Sequence, residues 1–193
     1  MKCSQPIEAA ILADYWMPVW PESEEENIEL HLFECGECST RLAEVVAIAD
    51  GVRRLAREGS LRMVVSESFV EGAVAEGVRV RSYAPPAGGS VQCTVTAEDD
   101  MLIARLSAEL HGSKRVDLSL CDELGREQVR MVDVPFAAGA DRVVYQESIR
   151  YAKASPTSTM ILRMIGIDEA GSELQLGEYR FEHTRSLPGP GGW

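Results

Sequence analysis

The chain has 193 residues, of which 45% are hydrophobic, and its 31 acidic residues outnumber its 19 lysines and arginines, which gives a formal net charge of -12 at pH 7. An acidic surface repels phosphate backbones, so the composition disfavours direct binding to nucleic acid and favours a basic protein partner. Because no apolar run approaches the ~20 residues of a membrane span and no basic segment leads into an apolar stretch, we expect a cytoplasmic protein without a signal peptide or membrane association.

The N-terminal part begins with two predicted helices. Residues 5–15 predict the first helix. Prolines at positions 18 and 21 cannot continue it, since proline lacks the amide donor and clashes with the preceding turn. Ser23 lies three residues before Glu26, which is the spacing of a capping box. We therefore expect a second helix from there to about Phe33.

Two further helices are predicted downstream. Apolar residues recur at helical spacing from about Ser39 to Arg57, and a similar pattern covers residues 60–76. We assign residues 1–76 to one helical bundle of three to four helices. Its acidity is pronounced, because residues 1–58 hold 12 acidic residues and 5 lysines and arginines.

The pattern changes after residue 76. Residues 77–90 contain adjacent prolines and glycines and are interpreted as a linker, or as a first strand and turn. Residues 91–185 show short alternating runs separated by turn clusters, which indicates an all-β antiparallel sandwich or barrel. Residues 186–193 are expected to be a disordered tail. The predicted fold class is α+β and multidomain, with the helical bundle followed by the β-domain.

The cysteines point to metal or redox chemistry rather than to a disulfide framework, because their number is odd and three of them cluster near the N-terminus. His31 and Cys35 are four residues apart and share a helix face. A turn at Gly36 brings Cys38 back beside Cys35, and Cys3 is the available fourth donor. Zinc prefers four such ligands in a tetrahedron. The sequence therefore predicts a Zn²⁺ site formed by Cys3, His31, Cys35 and Cys38.

A closed four-ligand zinc site has no open position for water or substrate, so it is structural by default. It would stabilise a small domain whose core is thin. The remaining thiols, Cys93 and Cys121, are interpreted as small buried side chains. The chain has 3 histidines, and no catalytic set or phosphate-binding loop can be argued from them or their neighbours. We expect that the protein is not an enzyme.

The arrangement Cys3…His31-x-x-x-Cys35-x-x-Cys38, flanked by helices, resembles the zinc-containing anti-sigma factor family of bacteria. The resemblance covers about residues 1–76. It implies that the helical domain binds an extracytoplasmic-function-type sigma factor and blocks its binding to RNA polymerase. The β-domain would then be a sensor or an assembly module. A metal-binding cupin is not expected there, because His111 and His183 are far apart in the sequence.

Two alternatives remain open. The first is a zinc-stabilised interaction module of another pathway, with the β-domain as the working part. The second is a thiol redox switch, in which disulfide formation releases the metal. An aromatic patch admits two interpretations as well: it either contacts a partner or packs around the zinc. Its members are Tyr15, Trp16, Val19 and Trp20.

Overall fold

The computed structural model describes residues 3–17, 22–136 and 139–186, without the side chains of residues 22–24. The chain divides into two compact units, Met1–Leu55 and Ala56–Trp193. The domain boundary predicted at residue 76 therefore falls inside the second unit. The prolines at 18 and 21, the capping side chain of Ser23 and the predicted tail from residue 187 onward lie outside the described residues.

The first unit is built from helices α1 (Ala9–Trp16), α2 (Glu22–Glu34) and α3 (Gly36–Arg57), the last of which runs into the second unit. Helix α1 begins later than predicted, because Glu8 is in an extended conformation and precedes the first helical residue. The apolar interior of this unit is very small. Among its described side chains, only Leu12 and Cys38 are buried. Burial alone therefore contributes little to its stability.

The fourth helix predicted over residues 60–76 is wrong in its first half. The β-branched run there forms strand β1 (Met63–Val65), and only the remainder is helical, as α4 (Glu67–Ala75). Ser66 separates the two and caps the helix, with its hydroxyl accepting a hydrogen bond from the Phe69 N–H at 3.1 Å. Helix α4 packs within the second unit through Val70 and Ala73.

The second unit contains two sheets. After β1, the strands are β2 (Val80–Tyr83), β3 (Ser90–Cys93), β4 (Met101–Ser107), β5 (Arg115–Cys121), β6 (Glu127–Met131), β7 (Arg142–Glu147), β8 (Ser158–Ile167) and β9 (Glu173–His183). A short helix, α5 (Ile149–Ala154), follows β7. The first sheet has the strand order β1-β7-β4-β2, and the second has the order β3-β9-β8-β5-β6.

The expectation of an antiparallel sandwich or barrel is corrected in two respects. Strand β2 pairs with β4 in parallel, and β3 pairs with β9 in parallel, so both sheets are mixed. Neither sheet closes into a barrel among the described residues. The physical reason is that β3 belongs to the other sheet, so the chain leaves the first sheet after β2 and returns to it as β4. Local alternation predicts strands but does not identify their partners.

The core of this unit is formed by side chains from both sheets. Leu106 of β4 and Tyr145 of β7 belong to the same buried cluster as Leu118 of β5 and Leu162 of β8. The fold class is therefore α+β, with N-terminal helices followed by two mixed sheets. None of the described helices combines the length and the hydropathy that a membrane span requires.

Gly59 lies close to the backbone of Asp100 within the second unit. Its φ is 63°, and a Cβ added there would lie 2.3 Å from the Asp100 carbonyl oxygen. Gly77 is a matched control, since its φ is 91° and nothing lies within 4 Å of an added Cβ. We expect Gly59→Ala to lower the free energy of unfolding by about 3 kcal/mol and Gly77→Ala by about 1 kcal/mol, measured by urea denaturation. Equal losses would contradict the packing argument.

Candidate metal centre

The segment that joins α2 and α3 is a single residue, Cys35. Its N–H donates to the His31 carbonyl at 2.8 Å, which continues the last turn of α2, and its carbonyl accepts from the Ser39 N–H at 3.0 Å, which opens α3. The Ser39 hydroxyl also donates to the Leu32 carbonyl at 2.6 Å. These bonds hold the ends of the two helices together. The side chains of His31, Cys35 and Cys38 are placed on this helix junction.

Four donor atoms converge here, contributed by Cys3, His31, Cys35 and Cys38, and all lie within 4.8 Å of one another. The Nε2 atom of His31 is 3.6 Å from the Cys3 sulfur and 3.3 Å from the Cys38 sulfur. The Cys3 and Cys38 sulfurs are 3.9 Å apart. This group could hold a metal ion, and it comprises the four residues that the sequence singled out. No other such group occurs in the described part of the chain.

Cys3 lies near the chain terminus, and three hydrogen bonds fix the segment that carries it. The Cys3 N–H donates to a Glu37 carboxylate oxygen at 2.8 Å. The Ile7 N–H donates to the Cys38 sulfur at 3.4 Å, and Arg41 donates to the Ile7 carbonyl at 2.8 Å. Glu37 and Arg41 are one turn apart on α3, and a guanidinium nitrogen of Arg41 lies 3.9 Å from a carboxylate oxygen of Glu37. The start of α3 therefore positions the fourth donor.

The thiols of Cys35 and Cys3 differ in the direction in which their surroundings shift the pKa. The pKa of the Cys35 thiol is lowered to about 7, chiefly because the backbone N–H of Cys38 donates to its sulfur. The Cys3 and Cys38 thiols and the Glu37 N–H add to this effect, against partial burial. Burial is the main cause that raises the pKa of the Cys3 thiol. Because Cys35 directly precedes α3, its thiolate sits at the positive end of a helix, where anions are stabilised.

Other residues considered in the sequence lie away from this centre. Cys93 and Cys121 are in strands of the second unit, and burial raises the pKa of Cys93 to about 11. His111 lies in an exposed turn, and His183 ends β9. Neither histidine joins a metal-binding group in the described residues.

The aromatic patch is only partly described. Val19 and Trp20 lie outside the described residues. Trp16 is 40% exposed, and the Tyr15 hydroxyl donates to a Glu29 carboxylate oxygen at 3.4 Å. Tyr15 is therefore partly buried within the first unit, whereas Trp16 is exposed.

Sequence reasoning missed the supporting roles of Glu37 and Arg41. The available signal was their i, i+4 spacing with opposite charges directly after Cys35, which is typical of an ion pair on a helix face. That spacing does not reveal that the Glu37 carboxylate also accepts a hydrogen bond from the Cys3 N–H. Nor does it reveal that the Arg41 guanidinium donates to the Ile7 carbonyl. Both partners lie more than thirty residues away in the chain.

The Arg41→Ala variant tests whether this support matters. We expect about a tenfold loss in affinity for Zn²⁺, because the segment that carries Cys3 loses one of its anchors. Competition with a chromophoric chelator measures the loss. Arg53→Ala is the matched control, since Arg53 is an arginine of the same helix and pairs with the exposed Asp50 at 3.2 Å, away from the Cys3 segment. Equal affinities of the two variants would contradict the supporting role.

Comparisons with known proteins identify no family. No protein-family model matches the chain, and no curated protein matches it. The N-terminal domain of phage TP901-1 ORF48 is 11% identical, with a TM-score of 0.32, and the match covers 55% of this chain and 98% of that one. Extracellular domains 3–5 of Drosophila OTK are 12% identical, with a TM-score of 0.30, and the match covers 54% of this chain and 35% of that one. Similarities this weak support no functional argument.

Proposed function

We propose that the Cys/His group binds Zn²⁺ and that the ion stabilises the first unit. Three sulfurs and one imidazole are the donors that zinc takes in structural sites. A tetrahedral zinc ion places sulfur and nitrogen donors about 3.6 Å apart and two sulfurs about 3.8 Å apart. The distances between the Cys3, His31 and Cys38 donor atoms, 3.3 to 3.9 Å, suit this geometry. The proposed role is structural, because four protein ligands leave no position for a substrate.

We further propose that the chain is a transcription regulator that sequesters an extracytoplasmic-function-type sigma factor through this helical unit. The observation that supports binding to a protein is the exposed apolar surface of the helices. Ile48, Val52 and Leu55 of α3 are 68%, 42% and 40% exposed and follow one another at i, i+4 and i+7. Phe33 of α2 is 88% exposed. Large apolar side chains on one helix face are typical of a contact surface for another protein.

Charge supports a basic partner. Residues 1–58 carry 12 acidic residues against 5 lysines and arginines. A sigma factor must be basic where it meets promoter DNA, so an acidic helical unit can compete for that surface. The apolar residues on α3 would supply most of the binding energy, and the charges would supply orientation and association rate. The second unit is proposed to act as a sensor or an assembly module, and no catalytic activity is proposed.

A thiol redox switch is the second candidate, and it is compatible with the first. The supporting observation is the 3.9 Å separation of the Cys3 and Cys38 sulfurs beside the ionisable Cys35. Hydrogen peroxide would oxidise two thiols to one disulfide with the release of two water molecules. The disulfide no longer offers thiolate ligands, so the metal would leave.

Affinity purification tests the sigma-factor proposal. The tagged full chain is isolated from its native cells under reducing conditions, and any stoichiometric partner is identified by mass spectrometry. We expect a sigma factor of the extracytoplasmic-function type, retained by the metal-loaded protein and lost with Cys38→Ser. A different stoichiometric partner would favour a zinc-stabilised interaction module of another pathway.

A further inference from the structure

Helix α2 has an inner face and an outer face. Ile28, His31 and Leu32 are partly buried and lie on one side of the helix. Leu30 and Phe33 lie on the opposite side and are 57% and 88% exposed. A helix normally carries polar side chains on the side that faces solvent. The outer face of α2 therefore leaves two large apolar side chains largely in solvent.

Carboxylates flank these two apolar side chains. Glu26 lies four residues before Leu30, and Glu29 lies four residues before Phe33, so each apolar side chain has a carboxylate one turn away. Glu34 follows Leu30 by four residues and lies on the other side of the pair from Glu29. All three glutamates are exposed. The outer face of α2 is thus an apolar pair with negative charge on both sides.

The negative charge of α2 is not neutralised within the described part of the chain. The helix contains six glutamates and no lysine or arginine. The ion pairs of the first unit among the described side chains all lie on α3. In the second unit, by contrast, Glu67, Glu76 and Glu178 each pair with an arginine at 2.5 to 2.8 Å. Because like charges one turn apart repel each other, a cationic partner would stabilise α2.

Charge and spacing together indicate what fits this face. Anionic lipids and nucleic acids are repelled by it, and helices that bind membranes carry lysine and arginine instead. A second copy of the chain would bring two acidic faces together. Two apolar side chains one turn apart suit the ridges and grooves of another helix. We propose that the outer face of α2 binds a basic amphipathic helix of a partner protein, whose apolar stripe covers Leu30 and Phe33 and whose cations pair with the flanking glutamates.

This surface deepens the proposed function and rests on it in one respect, namely that the first unit binds a protein through its helices. It adds a second contact to the one on α3 and names the kind of element that is recognised there. Phe33 lies between His31 and Cys35 in the chain, so the contact is tested on metal-loaded protein. The flanking charges should make the binding sensitive to salt.

Synthetic peptides of about 18 residues, roughly five helical turns, probe the outer face of α2 on the full, metal-loaded chain. The first is an amphipathic helix of leucine and lysine, the second has the same composition in scrambled order, and the third has glutamate in place of lysine. Fluorescence anisotropy of the labelled peptides measures binding. We expect the first peptide to bind at least tenfold more tightly than the other two, and to lose at least tenfold in affinity between about 0.05 and about 0.5 M salt.

Variants locate the binding. Phe33→Ser should weaken binding of the leucine–lysine peptide about tenfold, whereas Val74→Ser, at a residue 54% exposed on α4, should leave it unchanged. Glu34→Gln should weaken binding about threefold and reduce its salt dependence, whereas Glu71→Gln, at an exposed glutamate of α4, should have no effect. Zinc content and the far-UV circular dichroism spectrum report folding. If Phe33→Ser does not fold, Leu30→Ser takes its place.

Equal affinities for the amphipathic and the scrambled peptide would overturn the proposal, and so would a loss in Val74→Ser as large as that in Phe33→Ser. Self-association of the chain that Phe33→Ser abolishes would also overturn it, because a second copy would then be the occupant. The proposed function fails separately. Capture of no sigma factor would leave a positive peptide result standing, and a peptide that does not bind would leave capture through α3 standing.

Discussion

Removing the metal from the purified chain is expected to unfold the helices of the first unit while the second unit stays folded. Only Leu12 and Cys38 are buried among the described side chains of the first unit, and Cys38 is one of the four candidate metal ligands. The binding free energy of a structural zinc ion is about 10–16 kcal/mol at pH 7, far more than so small a core supplies. NMR spectra recorded before and after chelation separate the two units.

The Cys38→Ser variant should reproduce this effect without a chelator. We expect resonances of α1, α2 and most of α3 to collapse to random-coil values, with those of β4 and β5 unchanged. Cys93→Ser is the matched control, because Cys93 is a half-buried cysteine outside the metal centre. A variant of Cys38 that keeps its helices and its zinc would refute the structural role of the ion.

The Ile48→Asp variant is expected to lose at least thirtyfold in affinity for the captured sigma factor. Ile48 is 68% exposed on α3, so a carboxylate there costs the free protein little, whereas in a complex it would be buried without a partner. Surface plasmon resonance with metal-loaded protein measures the change. Zinc content and the far-UV circular dichroism spectrum should match those of the wild type.

Leu174→Asp is the control for this experiment. Leu174 is 67% exposed on β9, in the second unit, so the substitution is chemically equivalent but lies outside the proposed surface. The Leu174→Asp variant should bind the sigma factor with the affinity of the wild type. If Ile48→Asp binds as tightly as Leu174→Asp, the exposed face of α3 is not the contact surface.

The grouping of the four Cys and His donors is the feature that the sequence predicts best. Ligand spacing along one helix and one turn is a local property, so His31, Cys35 and Cys38 could be placed together from their positions alone. That these side chains and Cys3 form a group able to hold a metal ion is confirmed. The identity of the ion stays a prediction, and so does the sigma-factor partner.

The errors concern properties that are not local. Residues 63–65 continue an apolar pattern that suits a helix, yet they pair with β7, which lies about eighty residues later in the chain. The parallel pairing of β3 with β9 likewise joins segments about ninety residues apart. The hydrogen bonds of Glu37 and Arg41 to the Cys3 segment are also non-local. Such partners are selected by tertiary packing, which a pattern of neighbouring residues does not encode.

Competition with RNA polymerase tests the central proposal most directly. The captured sigma factor is mixed with core polymerase and increasing amounts of the metal-loaded chain, and the mixture is resolved by size-exclusion chromatography. The proposal predicts that the chain moves the sigma factor from the polymerase into a complex of its own, and that Ile48→Asp fails to do so. A sigma factor that stays on the polymerase at saturating amounts of the chain would contradict it.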